Sequence, residues 1–284
     1  MPMNKNIHTF IGCDAAYDES GIVLFGAPFD GTTSYRPGTR FASAAMRNES
    51  VGIETYSPYQ DRDLCDCAIF DGGDLELVFG NTEKTLATIE ACAQTVLDDG
   101  KIPCMIGGEH LVTLGALRAA VKAHPDLHIL HFDAHADLRD DYLGEPLSHA
   151  TVLRRAWELV GDGKIYQFGI RSGERAEFEF AKAHTFMSKF SLSGLDQAIE
   201  QLGDKPVYLT IDLDVLDSAV FPGTGTPEAG GVSFQALIDA VIKLSGLNIV
   251  ACDVNELSPM LDASGASTAA ACKLLREVLL SVYR

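Results

Sequence analysis

Residues 127–142 read "LHILHFDAHADLRDDY", and the stretch changes character halfway along. Leu127 to Phe132 make a short, largely apolar run, and Asp133, His135 and Asp137 follow at alternate positions. A run of that length, ending in polar residues, is the mark of a strand buried on both faces. Residues two apart on a strand point the same way, so Asp133 and His135 can converge on one cavity.

The same kind of run recurs through the chain. "GIVLFG" from residue 21, "CAIF" from 67, "IPCMIG" from 102, "IYQFGI" from 165, "TFM" from 185, "VYLTID" from 207 and "NIVACDV" from 248 all read as strands. Amphipathic segments lie between them. In "FQALIDAVIKL", Phe234, Leu237, Ile238, Val241 and Ile242 share one helical face. "NTEKTLATIEACAQTVLDDG", residues 81–100, has an Asn cap at its start and a Gly stop at its end. "STAAACKLLREVLLSVY" from 267 reads as a terminal helix. Strand–helix alternation predicts an α/β fold in three layers, α/β/α, with a parallel sheet covered on both faces. No linker, repeat or low-complexity segment interrupts it, so residues 1–284 read as a single domain. In such sheets, ligands sit beyond the C-terminal ends of the strands.

Composition narrows the function. The chain is 46% hydrophobic and 22% charged, as expected of a globular protein with a sizeable core. Its formal net charge of −18 argues against nucleic acid, whose binding needs basic patches. An acidic surface serves solubility and can also attract small cations. There are seven cysteines; Cys65 and Cys67 lack the spacing of a zinc knuckle or redox pair, and most others sit in apolar runs as reduced core residues. The start, "MPMNKNIHTF", has no apolar signal core, and no stretch is long enough to span a membrane. The expectation is a cytoplasmic protein.

Three strand ends carry ligand-type side chains. "IPCMIGGEH" ends at His110, "LHILHFDAHAD" delivers Asp133, His135 and Asp137, and "VYLTIDLDVLD" delivers Asp212 and Asp214. Parallel strands would bring all of them to one sheet edge. Asp133, Asp137, Asp212 and Asp214 carry four negative charges, which repel strongly unless cations stand among them. Two divalent ions balance that charge, and one leaves an excess. With His110 and His135 as neutral nitrogen donors and no cysteine beside them, the set suits Mn²⁺ better than Zn²⁺. The plainer alternative is structural: Asp137 could cap a turn, as Asp217 is expected to.

Taken in order, "GAPFDGTTSYRPGTRF", "GGEH", "FDAHADL", "SHATVLRR", "TIDLDVLDSAVFPGTGTPEAGG" and "DVNELSP" resemble the ureohydrolases, the arginases, agmatinases and their relatives. The likeness covers nearly the whole chain and leans towards agmatinases. It implies an arginase-like, eight-stranded parallel sheet and two Mn²⁺ ions per subunit. By motif position, His110, Asp133, Asp137 and Asp212 would hold one ion. Asp133, His135, Asp212 and Asp214 would hold the other, with Asp133 and Asp212 bridging. The resemblance further implies hydrolysis of a guanidine to an amine and urea by a metal-bridging hydroxide, which Asp137 would orient. His149 in "PLSHATVL" matches the family's proton donor, and Glu256 in "DVNELSP" matches the acid that pairs with the guanidinium. Alone, His149 after a Ser148 cap would read as a helix N-terminal histidine, and Glu256 as an ordinary strand-end acid. Homo-oligomers, trimer or hexamer, are usual in the family.

The far end of the substrate is less plainly written. Arginases resembling this chain carry an Asn two residues after Asp-x-His-x-Asp and a Ser-Gly-Asn loop for an amino-acid head group. Here Arg139 stands at the first place and the second signature is missing. Asp140, Asp141 and Glu145, with Glu174 in "GIRSGER", suit an ammonium tail such as that of agmatine, whereas Arg139 could hold a carboxylate. The leading expectation is hydrolysis of agmatine, a small cationic guanidine, to putrescine and urea. The alternatives are a guanidinobutyrase, a formiminoglutamase or an arginase, a one-zinc deacetylase of similar fold, and a regulatory homologue without turnover. His131, one strand period before Asp133, could touch the nominated ligands from behind, but it reads rather as a packed core histidine. Gly107 and Gly108 read as a tight turn into the His110 helix, and residues 221–231 as a glycine-rich loop close to the metals.

Overall fold

The computed structural model describes residues 8–284. The first seven residues, included in the single-domain reading and in the segment without a signal core, lie outside it. Every apolar run named above becomes a strand: β1 (Ile22–Gly26), β2 (Ile69–Asp74), β3 (Ile102–Ile106), β4 (His128–Phe132), β5 (Ile165–Ile170), β6 (Phe186–Lys189), β7 (Pro206–Asp212) and β8 (Asn248–Asn255). They form one eight-stranded sheet in the order β2-β1-β3-β8-β7-β4-β5-β6, and every neighbouring pair is parallel. β4 and β5 are buried along their whole length, and β7 and β8 after their first residue. Only the edge strands β2 and β6 expose several side chains, which is why the inner strands read as unbroken apolar runs.

Among the described residues, eight α-helices cover the sheet: α1 (Ala42–Glu49), α2 (Thr82–Asp98), α3 (Thr113–Ala123), α4 (Val152–Val160), α5 (Arg175–His184), α6 (Leu195–Leu202), α7 (Phe234–Lys243) and α8 (Ala266–Val282). Their apolar faces fall into two cores. Met46, Leu202, Leu237, Ile238 and Leu275 of α1, α6, α7 and α8 pack on one face of the sheet. Leu86, Ile89, Leu117, Val152 and Ala181 of α2 to α5 pack on the other. The three layers expected from the alternation are therefore present. A small antiparallel hairpin, Tyr56–Ser57 with Arg62–Asp63, was not expected. It lies over α8, where Arg276 donates to the carbonyls of Glu54 and Tyr56.

The strand order positions the site. The four central strands β3, β8, β7 and β4 are adjacent, and the six nominated ligands and Glu256 lie at or just beyond their C-terminal ends. Phe132 is level with Ile211, and Asn255 with Asp212, so these ends finish at one height. One step back from the edge, Gln167, His131, Thr210 and Asp253 align across β5, β4, β7 and β8, a polar row in an otherwise apolar sheet.

Gly107 and Gly108 serve a different purpose from the turn expected of them. Neither has a positive φ. A Cβ on Gly107 would fall 1.7 Å from Asn255 Oδ1, and one on Gly108 1.9 Å from the carbonyl oxygen of Phe29. Close approach of neighbouring backbone and side chains, not left-handed geometry, demands glycine there. Gly108→Ala should therefore overpack the junction that leads to His110 and cost about 1–3 kcal/mol. Urea unfolding measures this; an unchanged midpoint would mean that the Phe29 loop yields freely.

Candidate metal centre and active site

His110 opens a 3-10 turn (His110–Val112) that runs into α3, and its ring points back over the sheet edge. Its Nδ1 lies 3.0 Å from Asp137 Oδ2, 3.1 Å from Asp133 Oδ2 and 3.6 Å from Asp212 Oδ2. His135 Nδ1 lies 3.0 Å from Asp214 Oδ2 and 3.6 Å from Asp133 Oδ1. The structure thus brings together the six side chains nominated as ligands, with Asp133 between the two histidines. The four aspartates are all buried. Asp137 also acts as a cap, as its plainer reading foresaw: its carbonyl accepts from Leu153 and Arg154 at the start of α4. To do both, it takes a left-handed backbone, φ 53°. Asp217 is a loop cap only, accepting from the amides of Ala219, Gly230 and Gly231.

Charge in this cluster is shared out unevenly. Burial would raise Asp133, but His110 and His131 against its oxygens hold it well below the usual carboxylate range. Burial, with Asp133 beside it, pushes Asp137 up to about 7. Asp212 is raised by burial and by Asp214 and Asp133. Burial opposes the charged form of His110 and His135, yet the surrounding aspartates outweigh it and raise both. Among the described residues, no Lys or Arg forms an ion pair with any of the four acids; their partners are histidines alone. A buried, oxygen-rich set with two nitrogens, no sulfur and no fixed counter-charge fits divalent cations. Separations of 3.0–3.6 Å between donor atoms match neighbouring ligands on one ion, about 3 Å apart for bonds of ~2.1 Å at right angles.

A cavity of about 260 Å³ opens above the cluster, with His110, His135, Asp137 and Asp212 at its floor and His149 and Glu256 on its walls. Ser148 caps the 3-10 turn of His149 as expected, but the His149 ring is held by contacts that the sequence did not disclose. Its Nε2 lies 3.2 Å from Ser34 Oγ, and its amide donates to Thr32 Oγ1 at 3.1 Å. Thr32 and Thr33 in turn donate to Glu109, a fully buried acid. Burial lowers His149 to about 4, so it rests as neutral imidazole at pH 7. Glu256, at φ 68°, accepts the His110 amide on Oε1 at 2.7 Å. Burial and the neighbouring Glu109 raise its pKa well above the usual range.

A family model described as the arginase family matches residues 20–281. An agmatinase from Bacillus subtilis (strain 168) is 47% identical over 279 residues, 97% of this chain and 96% of that one. Among solved structures, a provisionally assigned agmatinase from Clostridium difficile superposes with a TM-score of 0.93 at 50% identity, covering 94% of this chain and 99% of that one. The agmatine ureohydrolase of Thermoplasma volcanium superposes with a TM-score of 0.89 at 35% identity, covering 98% and 95%.

The chain belongs to the arginase family. Its likeness within that family is to agmatinases, and it is an agmatinase-like ureohydrolase acting on a guanidine. The mouth of this ureohydrolase carries the two remaining nominated residues, Arg139 and Glu174, and they meet each other. Arg139 Nη1 lies 2.9 Å from Glu174 Oε1, its Nε lies 3.6 Å from Glu177 Oε2, and its guanidinium sits over the Tyr142 ring at 4.6 Å. Glu177 is buried while Glu174 is mostly exposed. The expected glycine loop approaches through Thr226, whose Oγ1 is 3.5 Å from Asp214 Oδ2, while Gly225 and Gly231 pack against the backbone of Arg36 and of Leu216 and Asp217, and Gly223 packs against the Ser267 side chain.

Metal uptake by such a cluster must displace protons. Asp137, near 7, is partly protonated in the metal-free chain at neutral pH, and the raised Asp212, His110 and His135 are shifted towards their protonated forms. The ligand forms are the deprotonated ones, so affinity should fall as pH drops through about 7. Mn²⁺ calorimetry in buffers of different ionisation enthalpy should report proton release. Affinity that is flat between about pH 8 and 6 would contradict this charge distribution.

Proposed function

We propose that the chain hydrolyses agmatine to putrescine and urea. The observation that carries the choice of tail is the engagement of Arg139. Two carboxylates and an aromatic face hold its guanidinium, so it is poorly placed to receive a substrate carboxylate. The mouth has two acids to one base, which favours a cationic tail, with Glu174 as the ammonium's partner. A guanidinobutyrate carboxylate would meet those acids, and like charges brought together cost several kcal/mol. The cavity suits a small molecule rather than a drug-sized one.

At the inner end, Glu256 would pair with guanidinium N–H groups in a fork and fix the reacting carbon. Two manganese ions would be held by His110, Asp133, Asp137 and Asp212, and by Asp133, His135, Asp212 and Asp214. When bound, such ions supply Lewis acidity and bring the pKa of water down to roughly 7, making a hydroxide nucleophile available. Asp137 would orient that nucleophile by accepting its hydrogen bond. His149, neutral at rest, would take up a proton and give it to the departing amine nitrogen, with Ser34 holding the ring in place.

The continuous sheet supports treating residues 1–284 as one domain. All seven cysteines are free, which supports a reducing compartment such as the cytoplasm. No helix among the described residues is long and apolar enough to cross a membrane. A homo-oligomer, trimer or hexamer, is the assembly expected, and light scattering would measure it.

Product release from a panel of agmatine, guanidinobutyrate, arginine and formiminoglutamate tests the substrate. We expect kcat/KM for agmatine to exceed that for guanidinobutyrate by about 10²-fold or more; the reverse order would sink the agmatine reading. His149→Asn should retain metal and lose about 10²–10⁴-fold in kcat. Asp133→Ala should lose metal, read by elemental analysis after gel filtration.

A further inference from the structure

His131 is more than a packed core histidine. It is fully buried, and its Nε2 lies 2.8 Å from Asp133 Oδ2. By distance alone it could be a ligand, because donor atoms of His110, His131 and Asp133 fall within 4.8 Å of one another. Its other nitrogen rules on this. Gln167, level with His131 on β5, faces His131 Nδ1 with Nε2 at 3.2 Å. The same Nε2 donates to the Ala136 carbonyl at 2.9 Å, and Gln167 Oε1 accepts from Thr185 Oγ1 at 3.1 Å. A carbonyl can only accept, so the amide's NH₂ is the group turned towards Ala136 and His131. His131 Nδ1 therefore accepts, and in the neutral ring the proton sits on Nε2, aimed at Asp133.

We infer that His131 is a positioning residue that holds and orients Asp133 as a bridging ligand, with Gln167 fixing its tautomer, and that it is not itself a metal ligand. Asp133 Oδ1 accepts the His135 amide at 2.5 Å, and Oδ2 accepts His131. Each carboxylate oxygen is thus tied by one N–H and keeps a lone pair for a cation. Thr210, level with His131 on β7, stands in a matching relation to the ligand His110: its Oγ1 is 2.9 Å from His110 Nε2. The row beneath the ligands so orients a carboxylate and an imidazole, the two donor types of the centre. The inference rests on the metal reading of the site.

Titrating Mn²⁺ into metal-free protein, by calorimetry and by electron paramagnetic resonance, tests it in the wild type, His131→Phe, His131→Gln and Gln167→Met. Circular dichroism checks that each variant folds. We expect two ions in the wild type and affinity weakened about 10–100-fold in His131→Phe, with two ions still bound at saturation. Gln keeps an N–H near the Nε2 position, so His131→Gln should recover to within a few-fold, and Gln167→Met should fall between. A wild type that takes no manganese would overturn both the metal reading and this inference. Wild-type affinity in His131→Phe would overturn the inference alone, as would loss of one ion at saturation that Gln fails to restore, since that marks a ligand. Should His131→Phe not fold, Gln167→Met decides, and wild-type affinity there overturns the proposal.

Discussion

Four carboxylates buried together are the constraint on which the rest of the structure depends. Two unit charges 4 Å apart repel by about 4 kcal/mol at an effective dielectric near 20, so the four cannot all stay ionised without positive charge among them. The metal-free chain answers by shifting Asp137, Asp212 and the two histidines towards their protonated forms, while Asp133 is shifted towards its ionised form. Each proton marks charge that a cation would otherwise balance. The backbone also bears part of the cost. Asp137 and Glu256 are both left-handed, a conformation of order 1–3 kcal/mol above the ordinary ones for such residues. Asp61, Leu143 and Phe190 share that conformation in surface turns, but Asp137 and Glu256 take it at strand ends where acids face the cavity.

The strand order makes such crowding possible. β7 and β8 return late in the chain to fill the gap between β3 and β4, so acids far apart in sequence come to lie on neighbouring strands. Neighbours in a sheet are about 4.8 Å apart, close enough for side chains at level ends to share a ligand. An antiparallel arrangement would send alternate ends to opposite edges and divide the set. The buried parallel sheet, legible as unbroken apolar runs, and the chemistry at its edge therefore follow from one topology.

What could be read in advance was whatever leaves a periodic trace. Eight apolar runs marked eight strands, and the alternation of Asp133 with His135 and of Asp212 with Asp214 marked shared faces. The same period reaches back to His131 and Thr210, each two residues before an acid, so the polar row beneath the ligands was open to the same reasoning. His131 had instead been given to the core, because burial and hydrogen bonding to a ligand look alike in a sequence. Arg139 with Glu174 and Glu177 was beyond reach: a loop meets the start of α5 there, and such a pairing has no period. The hairpin over α8 is too short to alternate. Gly107 and Gly108 were rightly marked, but for a turn, since a sequence does not say which neighbour fills the space a side chain would take.

The motif "GAPFDGTTSYRPGTRF" had contributed resemblance without chemistry, and the structure supplies its physical content. Asp30 accepts the Gly38 amide and pairs with Arg40, which closes the segment on itself. Glu109, next to His110, holds Thr32 and Thr33, and Ser34 then reaches the His149 ring. Two residues on, Arg36 donates to the carbonyls of Thr224 and Gly225, in the loop that also carries Thr226 to the cavity. One segment after β1 thus ties the histidine on one wall to the glycine-rich loop on the other. Its anchor is a buried acid adjacent to the first nominated ligand, so the cavity wall and its floor are braced by the same turn of chain. A histidine that rests neutral cannot be held by a strong charge pair without being drawn from that state. Neutral hydroxyls are what hold His149: Ser34 and Ser148 face its ring nitrogens and Thr32 Oγ1 accepts its backbone amide, while the charged Asp30, Arg36 and Arg40 of the motif are engaged elsewhere.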